Sequence, residues 1–307
     1  NYKILVKGGD PKVLAEYLNF VIDYPIEGVT TVADISNEVD DIFINGYPKG
    51  DKIGYYEFDQ HLSFRPNELT TVTGIPGSGK SEFIDQIMIR LSVRHGWKWG
   101  VWSAENQPTS LHVAKLSEKY IEGKAFYSKD PDFKMSFEEK ERAKAFIHEH
   151  FYFLTFNDEN LGIDAILQKS KELTKKYGIK GFLIDPYNYI DHNIPNGMSE
   201  TQYISKVLTK IKVNGMVNGL HTILVAHPTK INKKDGVYEV PTLYSISGSA
   251  HFFNKTDNGF VVYRDFETNE VSVYIQKVRF KFIGKIGMVE FTYNKTNGTY
   301  REKSCQL

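Results

Sequence analysis

Cysteine is almost absent: the 307 residues hold one, Cys305. A lone cysteine permits no internal disulfide and no cysteine metal cluster, and it suits a reducing compartment. No run reaches the roughly 18 to 20 uninterrupted apolar residues of a membrane helix, and the amino terminus lacks the basic-then-apolar pattern of a secretory signal. The sequence therefore reads as cytosolic, with no membrane partner. Net charge is missing too: 38 basic residues balance 38 acidic ones, so any nucleic-acid site must be local rather than a property of the whole surface. Neither internal repeats nor low-complexity tracts interrupt the pattern. With 41% hydrophobic and 25% charged residues, the disordered, fibrous and disulfide-stapled classes are excluded. The chain opens on Asn1 rather than methionine, which reads as part of something longer.

What is present is an alternation. Residues 11 to 24 place Val13, Tyr17, Phe20, Val21 and Tyr24 largely on one helical stripe behind Asp10 and Pro11, predicting an amphipathic helix. A Gly/Asp-rich stretch, 27 to 66, reads as a linker, so residues 1 to 64 are taken as a linker region and 65 to 307 as the main domain. From Glu68 onward, β-rich runs at 69–73, 98–103, 151–155, 180–185 and 221–227 alternate with helical periodicity over 80–95, 109–122, 137–149, 163–177 and 199–217. Such alternation implies an α/β fold with a parallel sheet covered on both faces. Runs at 258–264, 271–278 and 287–293 follow with turn-length gaps, predicting antiparallel strands at the sheet's edge.

Between the first strand and first helix of that domain stands Gly74-Ile-Pro76-Gly77-Ser78-Gly79-Lys80-Ser81, the pattern of a phosphate-binding loop in its required setting. Its glycines let backbone N–H groups turn inward around phosphate oxygens, and the next helix adds its positive end. Lys80 would reach the β- and γ-phosphates and Ser81 would hold Mg²⁺; Pro76, Ser78 and Glu82 are taken with the loop as nucleotide contacts. Phe182-Leu-Ile-Asp185 ends an apolar run in a carboxylate, as a metal-linked strand does at the ligand edge of a parallel sheet; alone, it equally caps a turn. Glu105 follows Val101-Trp-Ser-Ala and would stand beside the loop if the two strands are neighbours, as a general base, or it is a solvated strand end. His227 ends Ile223-Leu-Val-Ala226, where a lone histidine is more often structural. Lys230, Lys233 and Lys234 lie in the loop beyond, as solvated charge or a polyanion contact. Alternation puts Lys277 and Arg279 on one face of a strand, as transition-state cations or as an edge-strand guard against aggregation.

In order and spacing these motifs, with Ser247-Gly248-Ser249-Ala250 and Gly284-Lys-Ile-Gly287, resemble the RecA-like motor of ring-forming replicative helicases of the DnaB type, within it the Twinkle and phage primase-helicase branch, over residues 11 to 300. The resemblance implies a P-loop ATPase using ATP and Mg²⁺, with Glu105 activating water, Asp185 anchoring the metal, and His227 sensing the γ-phosphate. It implies that Arg279 is a finger reaching the neighbouring subunit's nucleotide, with Lys277 as companion, and that Arg264 and Tyr293 sandwich the adenine. Lys230, Asn232, Lys233, Lys234, Gly248 and Ser249 would face single-stranded DNA in the channel of a homo-oligomeric, hexameric ring, the 11–24 helix docking on the next subunit. A fused or associated primase and a bacterial or phage-encoded cytoplasmic setting go with that family. Two rivals remain open: a RecA-like recombinase or clock-type ATPase, and a scaffold that binds nucleotide only to assemble.

Overall fold

The computed structural model describes residue 12 and residues 28–156, 162–229, 233–234, 237–246, 249–266, 268 and 270–303. The helix expected over residues 11 to 24 lies outside these, apart from position 12. The chain divides into two units, residues 1–48 and 49–307. In the first, helix α1 (Ser36–Asn45) ends at Gly46 in a positive-φ conformation and buries none of its side chains.

The second unit begins earlier than the sequence boundary at 64/65. Asp51 and Phe64 exchange two backbone hydrogen bonds of 2.7 and 2.9 Å, and short helix α2 (Phe58–His61) lies between them. Ile53, Phe58, Leu62 and Phe64 are wholly buried in the core. Their spacing follows neither helical nor strand period, so a segment otherwise rich in Gly and Asp reads as linker although each apolar side chain is used.

From there the expected alternation is met. Strands β1 (Leu69–Thr73), β2 (Trp99–Ser103), β3 (Phe151–Phe153), β4 (Gly181–Asp185) and β5 (His221–Val225) alternate with helices α3 (Lys80–His95), α4 (Thr109–Ile121), α5 (Phe137–His150), α6 (Ile163–Tyr177) and α7 (Glu200–Asn218). Strands β1, β2, β4 and β5 are buried at every position; strands covered on both faces read as continuous runs rather than as alternation. The helix ends follow local rules. Ser136 with Glu139, and Ser199 with Gln202, form capping boxes at the starts of α5 and α7, and Gly96, Gly178 and Gly219 close α3, α6 and α7 in left-handed conformation. Beyond a two-stranded hairpin, β6 (Lys233–Lys234) with β7 (Val237–Tyr238), and helix α8 (Ser249–Lys255), come β8 (Asn258–Arg264), β9 (Glu270–Val278), β10 (Gly287–Tyr293) and β11 (Tyr300–Glu302).

The nine-stranded sheet runs β11-β10-β9-β8-β1-β5-β4-β2-β3. Of the three tail strands expected to be antiparallel, β9 and β10 are, whereas β8 lies parallel to β1; β11, which was not expected, adds a further antiparallel strand. Phe83, Ile84, Ile87 and Met88 of α3 pack one face with Trp99, Phe260 and Phe291. Ile166 and Leu167 of α6 and Val207, Leu208 and Ile211 of α7 cover the other with Ile184 and Leu224. Removing one such ring, as in Phe83→Ala, costs about 3 to 5 kcal/mol through lost transfer energy and the cavity left behind. Among the described residues, no helix is long and apolar enough to cross a membrane.

Candidate nucleotide site

The phosphate loop leaves β1 in the middle of the sheet and turns into α3. Two of its glycines are there for space as much as for dihedral freedom. A Cβ on Gly74 would lie 2.3 Å from the Val262 carbonyl oxygen, and one on Gly79, at φ 89°, would lie 2.6 Å from the Tyr300 hydroxyl. Tyr300 Oη donates to the Gly79 carbonyl at 3.1 Å, so strand β11, which the sequence reading did not foresee, buttresses the loop. Pro76 and Gly77 form its exposed tip, and Ser78 is fully buried. Lys80 Nζ donates to the carbonyls of Gly74 and Ile75 at 3.0 and 3.1 Å. Burial lowers the lysine's pKa, opposed by the nearby Glu105 and Asp185 carboxylates.

Asp185 ends β4, fully buried. Its Oδ2 accepts from the Ser103 hydroxyl at 3.2 Å, while Oδ1 has no hydrogen-bond partner among the described residues. Burial, then repulsion from Glu105, pushes its pKa up to about 6, against the effect of the Ser81 hydroxyl. Glu105 and His227 meet across the same edge: His227 Nε2 donates to Glu105 Oε1 at 2.9 Å, and the His227 amide donates to Asn188 Oδ1 at 2.8 Å.

The condition attached to Glu105 fails, however. Strand β2 is not beside β1; β5 and β4 stand between them. Glu105 nevertheless reaches the loop, because it projects beyond the strand end and lines one cavity of about 310 Å³ with Lys80, Ser81, Glu82, Arg264 and Tyr293. The Arg264 guanidinium lies 5.1 Å from the Tyr293 ring centroid, so the two residues expected to hold a base do face one another. Glu82 is taken up by Lys115, at 3.1 Å, and by the buried Lys119. Lys115 also donates to Asn106 Oδ1 at 3.1 Å and lines the cavity. Sequence reasoning missed Lys115, Asn106 and Ser103. Ser103 alone carried a signal, a polar residue ending a buried strand two positions before Glu105; Lys115 sits on an amphipathic helix with nothing to single it out.

Lys277 and Arg279 are not brought to this cavity. Strand β9 is antiparallel to β8, so its end lies at the amino edge of the parallel strands, Val278 opposite Asn258. Lys277 donates to the carbonyls of Phe253 and Asn254, filling acceptors left open in the last turn of α8. Its expected companionship with Arg279 gives way to this capping task. Arg279 is half exposed and donates through Nη1 to Asp257 Oδ1 at 2.8 Å. Of the expected DNA contacts, Lys230, Asn232 and Gly248 and the side chains at 233, 234 and 249 lie outside the described residues; the main chain at 233–234 pairs with 237–238 in the hairpin.

For Mg²⁺ the donors suit a shared rather than a self-sufficient site. Among the described residues, no group of three or more His, Cys, Asp or Glu could hold a metal ion by itself. A buried carboxylate with one oxygen unengaged beside the Ser81 hydroxyl is what an ion also held by phosphates and water requires.

Residues 50–302 match the family described as DnaB-like helicase C terminal domain. This chain belongs to that family. A Twinkle homolog protein of Arabidopsis thaliana, chloroplastic/mitochondrial, is 38% identical over 315 residues, covering 98% of the chain. The chain spans 43% of that relative's length. Among solved structures, one ATPase domain superposes with a TM-score of 0.73 at 16% identity, covering 90% of this chain and all of that one. A DnaB-like replicative helicase, solved for its interactions with primase, gives 0.70 at 17%, covering 97% of this chain and 72% of that one. At such identities both bear on the fold alone, which for this DnaB-like domain is the RecA-like one expected. The cytoplasmic, bacterial or phage-encoded setting is corrected: the Arabidopsis relative points to a eukaryotic organelle instead.

Proposed function

We propose that this chain is the ATP-hydrolysing motor of a ring-forming replicative DNA helicase that moves on single-stranded DNA. One observation carries the reading. Lys80, Glu105, Arg264 and Tyr293 share a cavity beside Asp185, whereas Arg279 stands at the opposite edge of the same sheet. In this reading, a site built this way is completed by the arginine of a second copy.

In this reading Lys80 leaves the loop carbonyls for the β- and γ-phosphates, and loop amides fix their orientation. Mg²⁺, held by Ser81 and through its water shell by Asp185, would offset phosphate charge as the bond to the γ-phosphoryl group breaks. Glu105 accepts the proton of the attacking water, and His227, hydrogen-bonded to that carboxylate, links it to the hairpin loop that follows β5. Arg279 from the next subunit meets the charge that develops in the transition state. The loop after His227 and the segment entering α8 are the surfaces offered to DNA. A primase, on the same or another chain, is the partner we expect, and a eukaryotic organelle the setting.

The test combines ATPase rates with and without single-stranded DNA, the oligomer's mass, and displacement of a strand from a forked duplex. Stimulated turnover by a ring that unwinds the fork is the expected result. Stimulated turnover without unwinding favours a recombinase-like ATPase, and nucleotide binding without turnover makes the chain a scaffold.

A further inference from the structure

Nothing in the phosphate site explains why a carboxylate is buried at the far edge of the sheet. Asp257, between α8 and β8, is 2% exposed. Its Oδ2 accepts from the Leu69 amide at 2.9 Å, while its own amide donates to the Leu69 carbonyl at 2.8 Å. Lys212 of α7 reaches both carboxylate oxygens, and Arg279 Nη1 reaches Oδ1 at 2.8 Å. Burial works to raise its pKa, but Lys212, the Leu69 amide and Arg279 together hold it below the ordinary value.

Two features separate this cluster from an ordinary buried ion pair. The charges do not cancel: two cations share one carboxylate, so a positive charge remains, and it is Arg279 whose side chain is 50% exposed against 21% for Lys212. Arg279 also uses only Nη1 in hydrogen bonds among the described residues, leaving the outer part of a planar five-donor fork for an incoming anion. The second feature is connectivity. Leu69 opens β1, whose five buried residues run straight into Gly74, so one carboxylate ties the arginine to the strand that carries this subunit's own phosphate loop.

We infer that Asp257 is a positioning residue for Arg279, aiming the guanidinium at a nucleotide held by a second copy of the chain and joining that arginine to the subunit's own phosphate loop through β1. This rests on the reading of Arg279 as acting between subunits. Asp257 touches no substrate; it acts through the arginine, and Lys212 supplies the neutralising charge that leaves the guanidinium's own charge available.

The test compares Asp257→Asn, Asp257→Glu, Arg279→Ala and the double variant Asp257→Asn, Arg279→Ala in the oligomer on single-stranded DNA, well below their melting temperatures. Asp257→Asn keeps the shape and loses the charge; Asp257→Glu keeps the charge and displaces the guanidinium, and it reports should the asparagine variant fail to fold. Each single Asp257 variant should lower kcat roughly 10- to 100-fold, the scale of a misplacement of about 1 Å. KM and the affinity for a fluorescent ATP analogue should stay within about twofold, because each subunit keeps its own cradle. With radiolabelled ATP, the double variant should turn over no more slowly than Arg279→Ala alone. Wild-type kcat in Asp257→Glu beside an inactive Arg279→Ala overturns the positioning role, as does a further loss when Asp257→Asn is added to Arg279→Ala. Wild-type turnover by Arg279→Ala overturns the finger reading itself, an outcome recognisable because it involves no change at Asp257.

Discussion

The two edges of the parallel sheet carry opposite electrostatic arrangements. At the carboxyl edge, Asp185 is buried with Oδ1 unengaged and its pKa pushed up to about 6, and Lys80 is lowered by burial. There too, the Ser78 hydroxyl and His227 Nδ1 are buried without hydrogen-bond partners among the described residues. At the amino edge, Asp257 is shared by Lys212 and Arg279 and held below its ordinary value, and Glu68 has Arg65 at 3.0 Å. His221, wholly buried, has Nδ1 at 2.7 Å from the Arg65 carbonyl and Nε2 at 3.0 Å from the Thr70 hydroxyl, and burial brings it down to about 4. A buried polar group without a partner costs about 1 to 3 kcal/mol. A fold leaves a buried carboxylate oxygen unengaged where a ligand will meet it, and pairs its carboxylates with cations where it builds a frame. In the proposed reading, one edge is the receiving site and the other holds out the group that completes a neighbour's.

Five substitutions test that contrast. The largest effect belongs to Lys80→Ala, which should abolish ATP turnover, since a methyl group cannot replace an ammonium in the phosphate cradle; near-normal hydrolysis would remove the loop from the site. At the other edge, Arg279→Ala should cost on the order of 10³ to 10⁵ in rate while each subunit binds nucleotide as before. A comparable loss of nucleotide affinity would place Arg279 in its own subunit's site and dissolve the division between edges. Glu105→Gln retains the shape and loses the base, so turnover should fall by about 10² to 10⁴ with binding preserved; lost affinity with unchanged turnover per bound nucleotide would make Glu105 structural.

The smallest effect discriminates best, because its sign differs between Asp185 and Asp257. The pKa of Asp185 is raised in the folded protein, so folding stability is lost as pH climbs from the ordinary carboxylate value, about 3.9, through about 6. Asp185→Asn should thus stabilise the nucleotide-free protein by about 1 to 3 kcal/mol at pH 7.5, have little effect near pH 4, and still eliminate Mg²⁺-dependent turnover. Asp257 is depressed, so its contribution is present at neutral pH and lost as pH falls through its folded value; Asp257→Asn should lower the melting temperature at pH 7.5. Thermal melts of the two variants across pH check both, and shifts of the same sign would end the contrast.

Much of this was legible beforehand, for physical reasons that differ by residue. Local chemistry is written locally: the glycines and lysine of the loop, and strands that read as continuous runs because both faces are covered. Arg264 and Tyr293 were named and do face each other. The sequence reading failed where position depends on distant chain. Residues 51–64 looked like linker because their apolar residues have no period of their own and find partners on the sheet and on β11. Glu105 was expected beside the loop through adjacent strands, yet β5 and β4 intervene. Asp257, tied to Leu69, Lys212 and Arg279, looked like a polar residue before a strand.

By itself, then, the sequence determined the five alternating strands and helices from Leu69 to Val225, the strands β8 to β10, the phosphate loop and the family, since periodicity and contiguous motifs act over a few residues. Only the tertiary structure decided the order of the strands and that β9, antiparallel to β8, carries Arg279 to the edge opposite Lys80, Asp185, Glu105 and His227. Strand order is set by how helices cross over and share the two faces of the sheet, a property of the packed whole that no local stretch of chain encodes.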